Sequence, residues 1–563
     1  MTSHAAALMR SEDINHERMY TFVGAVGGLA LIPIVFHLGR RLAQKTNAGK
    51  KGVSALAVLS RKPRKVLLHT APGLPSRGHA ILVSLYVAIN LALAFTNINN
   101  PVIGLTGTLG GRAAWMALAN LTVLIFLALK NTPLAFLTAW SYERLNILHQ
   151  IAGYMCISFV IIHASCYTKY FTAMGRTSIL REESVIYGEI AGLSFVIVGF
   201  AGAVIRRWWY ELFYYVHMSC WIIAIVMIGL HQPMFAKRIV FVVIAVASVW
   251  VLDRLVRVTR LLIYSVNNTA TLTPLPNGAT RVTLKKAPLG AVSGQHCFLW
   301  IPSVRFSETH PFTIANMEPM EFVVNSHDGF TQDLHRYAVK NPGVTVKASV
   351  EGAYGTLPDA TEYERVVLVA GGSGSTFTFG MALNMLKNMS PEQQDKKITF
   401  ILMVKYRSHL TWFASHLETL AKDPRVQLEI YVTRSSEEKT DAEIRIGSVP
   451  TTASSETDAE KAIPAVTAQP MTSAGSSSSG ESTSEEAEVE SVPSNAYENS
   501  IKSGKPDVAA LIQAEIEQTP VEQRVLVLGC GPEGLMTQVR NTTAACIRAD
   551  GPGVELHCEQ FGW

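Results

Sequence analysis

Seven runs of mostly apolar residues, each about as long as a bilayer is thick, constrain this chain more than any other feature. They lie at about 20–38, 79–98, 112–130, 148–166, 188–205, 213–231 and 238–256. Crossing a hydrocarbon layer of ~30 Å takes roughly 20 residues of helix, so the runs predict seven membrane spans. Across the chain 17% of residues are charged and 48% apolar, an average over a greasy first half and a polar second half. The stretch "GRRLAQKTNAGKKGVSALAVLSRKPRK", between the first two runs, is the richest in Lys and Arg and is therefore expected on the cytoplasmic side. That orientation puts the N-terminus outside and residues from 257 onward inside. "RRWW" (206–209) and "DRLVRVTR" (253–260) agree with it, while Lys169, Arg176, Arg181, Lys237 and Arg238 fall on the outer side against the rule. The opening "MTSHAAALMRSEDINHERMY" lacks the charged-then-apolar pattern of a cleaved leader, so the first run is expected to stay. A net charge of +5, with no Lys/Arg stripe interleaved with aromatics, argues against a nucleic-acid partner. Seven scattered cysteines without a CxxC pair argue against a disulfide framework or a zinc site.

Two of the spans carry histidines at matched spacing. "HQIAGYMCISFVIIH" (149–163) and "HMSCWIIAIVMIGLH" (217–231) each begin and end with one. Fourteen residues of helix rise about 21 Å and leave only about 40° of net rotation, so each pair lies on one helix face, one member per leaflet. Facing helices would then set His149 against His217 on the inner side and His163 against His231 on the outer side. With 16 histidines in 563 residues, a second one at a fixed offset arises in about 3% of cases by chance, and here it happens twice. Hydrogen-bonded core histidines are the plain alternative. A proton path is another, but no carboxylate lies between the histidines of either span. Neutral imidazoles on opposite sides of a flat, uncharged object suit haem iron, so the constellation predicts two haems, one per leaflet.

After residue 262 the pattern becomes short β-like runs such as "TRVTLKKA" and "QHCFLWIPS", separated by Gly and Pro turns. From 361 strands and helices alternate. "RVVLVAGGSGSTFTFGMALNML" and "RVLVLGCGPEGLMTQVRNT" both read as strand, Gly-rich turn and helix, the grammar of a doubly wound sheet. A Ser/Thr/Glu/Ala-rich stretch at about 435–505 holds too little apolar surface to offset its ordering entropy and is expected to be a disordered insertion.

The arrangement resembles the ferric reductase and NADPH oxidase superfamily, and "RRWWYELFYYVH" (206–217) is similar to the stretch before the sixth-span histidine of fungal ferric/cupric reductases. The resemblance implies b-type haems on the four histidines and, in the soluble half, sites for FAD and NADPH. "HPFT" (His310, Pro311, Phe312 and Thr313) is similar to the family's flavin-binding tetrapeptide. "DGFTQDL" follows it, with Gly329 and Thr331 opening a helix whose exposed N–H groups suit the FAD pyrophosphate. "EGAYG" matches a Gly-Pro-Tyr-Gly turn at Gly352, Tyr354 and Gly355, with Ala353 in place of proline. "GGSGST" (Gly371, Gly372, Ser373, Gly374, Ser375 and Thr376) offers a phosphate cradle. "GCGPEG" resembles the motif beside the nicotinamide, with Cys530 bordering the hydride path between Gly529, Gly531 and Pro532. The end "CEQFGW" is similar to the terminal Glu-x-Phe-x-Trp of fungal reductases, where Phe561 or Trp563 could cover the flavin ring. Lys405 and Arg407 are placed to favour a 2′-phosphate, although a solvated charged loop explains them as well.

The implied fold is an α-helical polytopic membrane domain of about seven spans (1–262), a cytoplasmic FAD-binding β-barrel (263–360) and an α/β doubly wound NADP-binding domain (361–563). The implied activity passes electrons from cytosolic NADPH through FAD and two haems to outside ferric or cupric chelates or siderophores. A plasma membrane is expected, with the vacuolar membrane as alternative, and a metal-uptake permease is the implied partner. Two other readings stay open: a superoxide-forming NADPH oxidase, and a transporter or proton channel with a degenerate reductase domain.

Overall fold

The computed structural model describes residues 3–43, 58–140, 142–231, 238–390, 393, 395–434 and 496–559. The first half is helical: α1 (Ser3–Ala43), α2 (Arg61–Leu68), α3 (Arg77–Phe95), α4 (Gly104–Ala128), α5 (Pro133–Thr138), α6 (Tyr142–Ala173), α7 (Glu183–Phe200), α8 (Tyr210–Leu230) and α9 (Arg238–Ile263). Among the described residues, seven helices are long and apolar enough to cross a membrane, one for each of the seven apolar runs. They end where the chemistry changes. Ser76 caps α3, its side chain accepting from the His79 N–H, and Pro133 sits in the first turn of α5 behind the Thr132 cap. Between α7 and α8 a π-helical turn, Ala201–Ile205, shifts the helix register just before "RRWW".

A buried arginine joins three of the helices at one end. Arg112 on α4 donates to Asn15 Oδ1 (2.7 Å) on α1 and to the carbonyls of Leu93 (2.6 Å) and Thr96 (3.0 Å) at the end of α3. At the opposite end, Asp253 of α9 accepts from the Asn131 backbone and side chain, both at 3.0 Å, while Arg260 donates to Asn131 Oδ1 at 2.7 Å. Burial without these partners would cost each group its hydration, so the bonds fix how α9 meets the loop after α4.

The soluble half begins with a β-barrel. Its strands are β1 (Thr269–Leu275), β2 (Ala279–Leu284), β3 (His296–Trp300), β4 (His310–Thr313), β5 (Asn316–Met317), β6 (Met320–Asn325), β7 (Val344–Lys347) and β8 (Ser349–Tyr354), with α10 (Gly329–Lys340) before β7. They form the sheets β5-β6-β2-β1-β7 and β4-β3-β8, closed over a core that includes Leu272, Val282, Leu299, Phe322 and Phe330. Pro311 is tolerated because β4 is an edge strand, where a missing N–H breaks no ladder.

The second unit comprises β9 (Arg365–Gly371), α11 (Ser375–Asn388), β10 (Lys397–Val404), α12 (Ala414–Lys422), β11 (Val426–Val432), β12 (Ile501–Ser503), α13 (Val508–Glu517), β13 (Arg524–Cys530), α14 (Glu533–Ala545) and β14 (Gly553–Glu559). All its strand pairs are parallel, in the order β12-β11-β10-β9-β13-β14. The order reverses between β9 and β13, and the crevice at that switch point is where such sheets bind ligands. The end of the expected insertion is corrected here: Tyr497 is buried in the core and Ile501–Ser503 pair with β11, so the folded domain includes residues well before 505. A Ser/Glu-rich composition hid one aromatic anchor and three edge residues. The rest of the insertion, 435–495, lies outside the described residues.

Candidate functional site

The helices α6 and α8 bring the four histidines into two facing pairs. Ring centroids of His149 and His217 are 6.5 Å apart, and those of His163 and His231 are 6.2 Å apart. Each ring is fixed by its Nδ1: His149 to the Leu124 carbonyl (3.2 Å), His217 to Val198 (3.2 Å), His163 to Gly110 (2.9 Å) and His231 to Ser184 (2.6 Å). A carbonyl only accepts, so Nδ1 carries the proton and Nε2 keeps its lone pair. That is the tautomer of a metal-ligating histidine with its outer-shell partner in place. Two metal–nitrogen bonds of roughly 2 Å and two ring radii of roughly 1 Å separate centroids by about 6 Å, so the donor set fits an axial pair on a flat metal macrocycle.

Packing differs at the two pairs. Gly188 of α7 stands against the His231 ring, which a Cβ there would meet at 2.7 Å. Beside His149 and His217 lies a cavity of about 340 Å³, lined by Gly153, Gly199, Phe213 and Trp221 within the helices and by Phe298, His310 and Pro311 of the barrel. One space therefore touches both His149 and His217 and the tetrapeptide His310–Thr313.

Several side chains the sequence reading did not single out hold that junction. Arg257 of α9 pairs with Glu351 of β8 at 3.0 Å, with exposures of only 14% and 4%. Burial raises the Glu351 pKa, and the Arg257 guanidinium opposes that rise. Lys130 and Arg257 both lie over the Phe298 ring, at 4.9 and 5.0 Å from its centroid. Glu211, at the start of α8, stands where a Cβ on Gly329 would be. None of these could be found from local pattern, since each contact joins the membrane half to the barrel across tens to hundreds of residues.

In the barrel, the tetrapeptide forms β4 and pairs antiparallel with β3: Thr313 opposite His296, Phe312 opposite Cys297, Pro311 opposite Phe298 and His310 opposite Leu299. His310 stacks on Phe330 at 4.4 Å, and its Nε2 lies 3.0 Å from Glu308. Burial lowers its pKa, against the pull of Glu308. Gly329 has φ of +56°, a backbone glycine adopts at no steric cost, and Thr331 Oγ1 accepts from the His327 N–H at 2.9 Å, closing the turn that opens α10. Gly352 and Gly355 flank Tyr354, whose hydroxyl bonds Glu351.

The two Gly-rich turns meet at the switch point. A Cβ on Gly531 would lie 3.2 Å from the Gly371 nitrogen, one on Gly371 would lie 3.1 Å from Pro532, and Gly374 abuts the Cys530 carbonyl. Ser375 Oγ donates to the Gly372 carbonyl at 2.7 Å and Thr376 is buried at the start of α11, whereas Gly372 and Ser373 are exposed. Gly529 packs on Met536, and the buried Cys530 lies opposite Glu559 of β14 in the register. Arg407 is tied to Glu498, on the segment the sequence reading assigned to the insertion. Lys405 follows the end of β10 and is exposed. Phe561 and Trp563 lie outside the described residues. The seven cysteines form no disulfide among the described residues.

Comparison with known proteins agrees with this order of parts. Residues 113–228 match the family "Ferric reductase like transmembrane component", residues 263–358 the "FAD-binding domain" and residues 363–544 the "Ferric reductase NAD binding domain". A "Probable cell surface ferric reductase kap2" of Aspergillus oryzae is 28% identical over 61% of this chain and 50% of its own. "Ferric/cupric reductase transmembrane component 1" of Candida albicans is 24% identical over 64% of this chain and 49% of its own. "Ferric reductase transmembrane component 4" of Saccharomyces cerevisiae is 26% identical over 80% of this chain and 62% of its own. The chain spans about half the length of the first two of these curated relatives. Together the three matches set a ferric-reductase-like membrane component, an FAD-binding domain and a ferric-reductase NAD-binding domain in that order along the chain.

Proposed function

We propose that the chain is an NADPH-dependent transmembrane ferric reductase that carries electrons singly from the face bearing its soluble half to a ferric acceptor on the other. The observation behind this is the doubled histidine geometry: two facing pairs at 6.5 and 6.2 Å on the same two helices, all four Nδ1 atoms bonded to carbonyls. One pair would serve an isolated centre. Two pairs stacked along α6 and α8 suit a path across the layer.

Bound in these sites, NADPH would supply a hydride, FAD the change from two electrons to one, and two b-type haems the one-electron carriers. His149 and His217 hold the inner carrier, next to the soluble half, and His163 and His231 the outer one. His310, Pro311, Phe312 and Thr313 seat the flavin, with Gly352, Tyr354, Gly355 and the turn at Gly329 and Thr331. The turns Gly371–Thr376 and Gly529–Pro532 seat the dinucleotide, with Cys530 bordering the nicotinamide. Phe561 or Trp563 would cover the flavin ring. Lys405, with Arg407 when it leaves Glu498, favours a 2′-phosphate and so NADPH over NADH. With a histidine from each helix holding the group, a haem there would supply outer-sphere electron transfer, for which no structured metal pocket is needed. The parts divide at 1–262, 263–360 and 361–563.

The soluble half faces the cytosol and the acceptor lies outside the cell, a reading supported by the printed "cell surface" description of the Aspergillus relative. Cupric chelates, named for the Candida relative, are a second acceptor class, and metal uptake is the use. The test is an anaerobic NADPH titration of membranes against ferric, cupric and oxygen acceptors. Reduction of ferric chelates under nitrogen, unaffected by superoxide dismutase, is the expected result. Activity that vanishes without oxygen identifies an oxidase, and absence of a b-type absorption band identifies a non-haem membrane protein.

A further inference from the structure

The proposed electron path leaves one product without an exit. For each hydride taken from NADPH, the flavin gains two electrons and one proton. The two electrons depart one at a time toward the histidine pairs. The proton cannot follow them through an apolar helix bundle, so it must return to the cytosolic side.

A buried titratable residue sits at the needed place. His296 of β3 is only 7% exposed and lies directly opposite Thr313, the last residue of the flavin tetrapeptide. Directly opposed residues on antiparallel strands hold their Cβ atoms roughly 5 Å apart, within reach of a hydroxyl and an imidazole. Its ring is 5.8 Å from that of Tyr354, the centre of the other flavin turn. Two separate flavin motifs thus flank one histidine. Glu559, 6% exposed and opposite Cys530 in the β13–β14 register, lies close enough to His296 to act on its charge. Glu559 lies 2.8 Å from His557 Nε2, and His557 is partly exposed. A carboxylate so deeply placed is expensive to keep unless it is paired or works.

The groups facing this cluster come from every neighbouring element. Lys130, at the end of α4, disfavours a proton on His296, and Glu559 favours one. His557, Arg144 of α6 and His296 itself all act to keep Glu559 ionised against its burial. The sequence Thr313, His296, Glu559, His557 therefore runs from flavin motif to surface, from a hydroxyl through a neutral imidazole to a carboxylate.

We propose that His296 and Glu559 form the route by which the flavin's proton leaves to the cytosol. The inference rests on the reductase reading. The balance closes: NADPH gives up H⁻ and becomes NADP⁺, two electrons reach two ferric acceptors, and one proton passes from the flavin through Thr313 to His296, then to Glu559 and water. His296 holds the proton only transiently, because burial lowers its pKa to about 4.

The test compares wild type, His296→Gln and Glu559→Gln as full-length protein in detergent or nanodiscs, by anaerobic stopped flow with a pH-indicator dye. Wild type first reports the reading itself: NADPH must bleach the flavin band and then raise the reduced haem band. If it does neither, the reductase reading has failed and not the relay. In both variants FAD content and flavin bleaching by NADPH stay within about two-fold of wild type. Flavin re-oxidation and the dye signal both slow, by on the order of ten- to a hundred-fold in His296→Gln and less in Glu559→Gln, and the solvent isotope effect on this phase changes. Proton release at wild-type rate in His296→Gln with full FAD content overturns the proposal. Should His296→Gln fail to hold FAD, Glu559→Gln decides alone: wild-type proton release there also overturns it, and slowed release with full FAD content supports it.

Discussion

At the inner pair, His149 and His217 border a cavity whose far wall is Phe298, His310 and Pro311 of the barrel, with Arg206, Arg254, Arg257, Glu211 and Glu308 also on its lining. At the outer pair, His163 and His231 meet rings and glycines instead. His163 contacts Tyr167 edge-on at 5.1 Å, Tyr167 stacks on Phe171 at 5.6 Å, and α4 lets the Tyr167 ring close in at Gly110 and Gly111. The ligand geometry is the same at both depths and the second layer differs. Fixed charge surrounds the pair that, on the proposed path, would receive electrons from the soluble half. Aromatic rings border the other, which on the same path would face a diffusing acceptor.

The largest expected effect removes a carrier from one end only. His163→Ala or His231→Ala should abolish transfer across the membrane and remove about half of the b-type absorbance, while NADPH still reduces the flavin. Equal loss of both haems would mean that the two ends are not separate. Next comes the inner junction. Arg257→Ala leaves the buried Glu351 carboxylate without its cation, and removing one partner of a buried pair costs roughly 3 kcal/mol. Thermal unfolding should register that cost, and stopped flow should show slower flavin-to-haem transfer with unchanged flavin reduction. An outer haem affected as much as the inner would blur the contrast.

A smaller change sharpens the outer end. Gly188→Ala puts a Cβ within 2.7 Å of the His231 ring, and overpacking of this kind costs about 1–3 kcal/mol. The outer haem's low-spin electron-paramagnetic signal should shift and broaden, with the inner signal intact. A further contrast is acid sensitivity of the soluble half. Burial lowers the pKa of His296 and of His416 to about 4, below the unfolded value near 6.5. As pH falls through that window the unfolded chain binds protons that the folded one refuses, so stability drops between about pH 6.5 and 4. The unfolding midpoint of the flavin and dinucleotide units should fall there, and His416→Gln should lessen the fall.

Much of this was legible in the chain itself. Seven spans follow from run length alone, and the pairing of His149 with His217 and His163 with His231 follows from helical pitch. The two Gly-rich turns announce themselves because close backbone approach permits nothing larger. What stayed hidden depends on tertiary register. His296 lies within the stretch that located the barrel, yet only the β3–β4 pairing sets it opposite Thr313. Glu559 gains meaning only beside Cys530 on the neighbouring strand. Arg257 and Glu351, far apart in sequence, carry no joint signature, and the π-turn at Ala201–Ile205 is a packing outcome that apolar periodicity does not encode.

The most direct test is a haem count with a redox spectrum on purified protein: pyridine haemochrome quantification beside anaerobic titration with NADPH. The account predicts two six-coordinate, low-spin b-type haems per chain, both reduced by NADPH once FAD is present. A protein that folds and binds FAD but holds no haem, or holds only one, would contradict it.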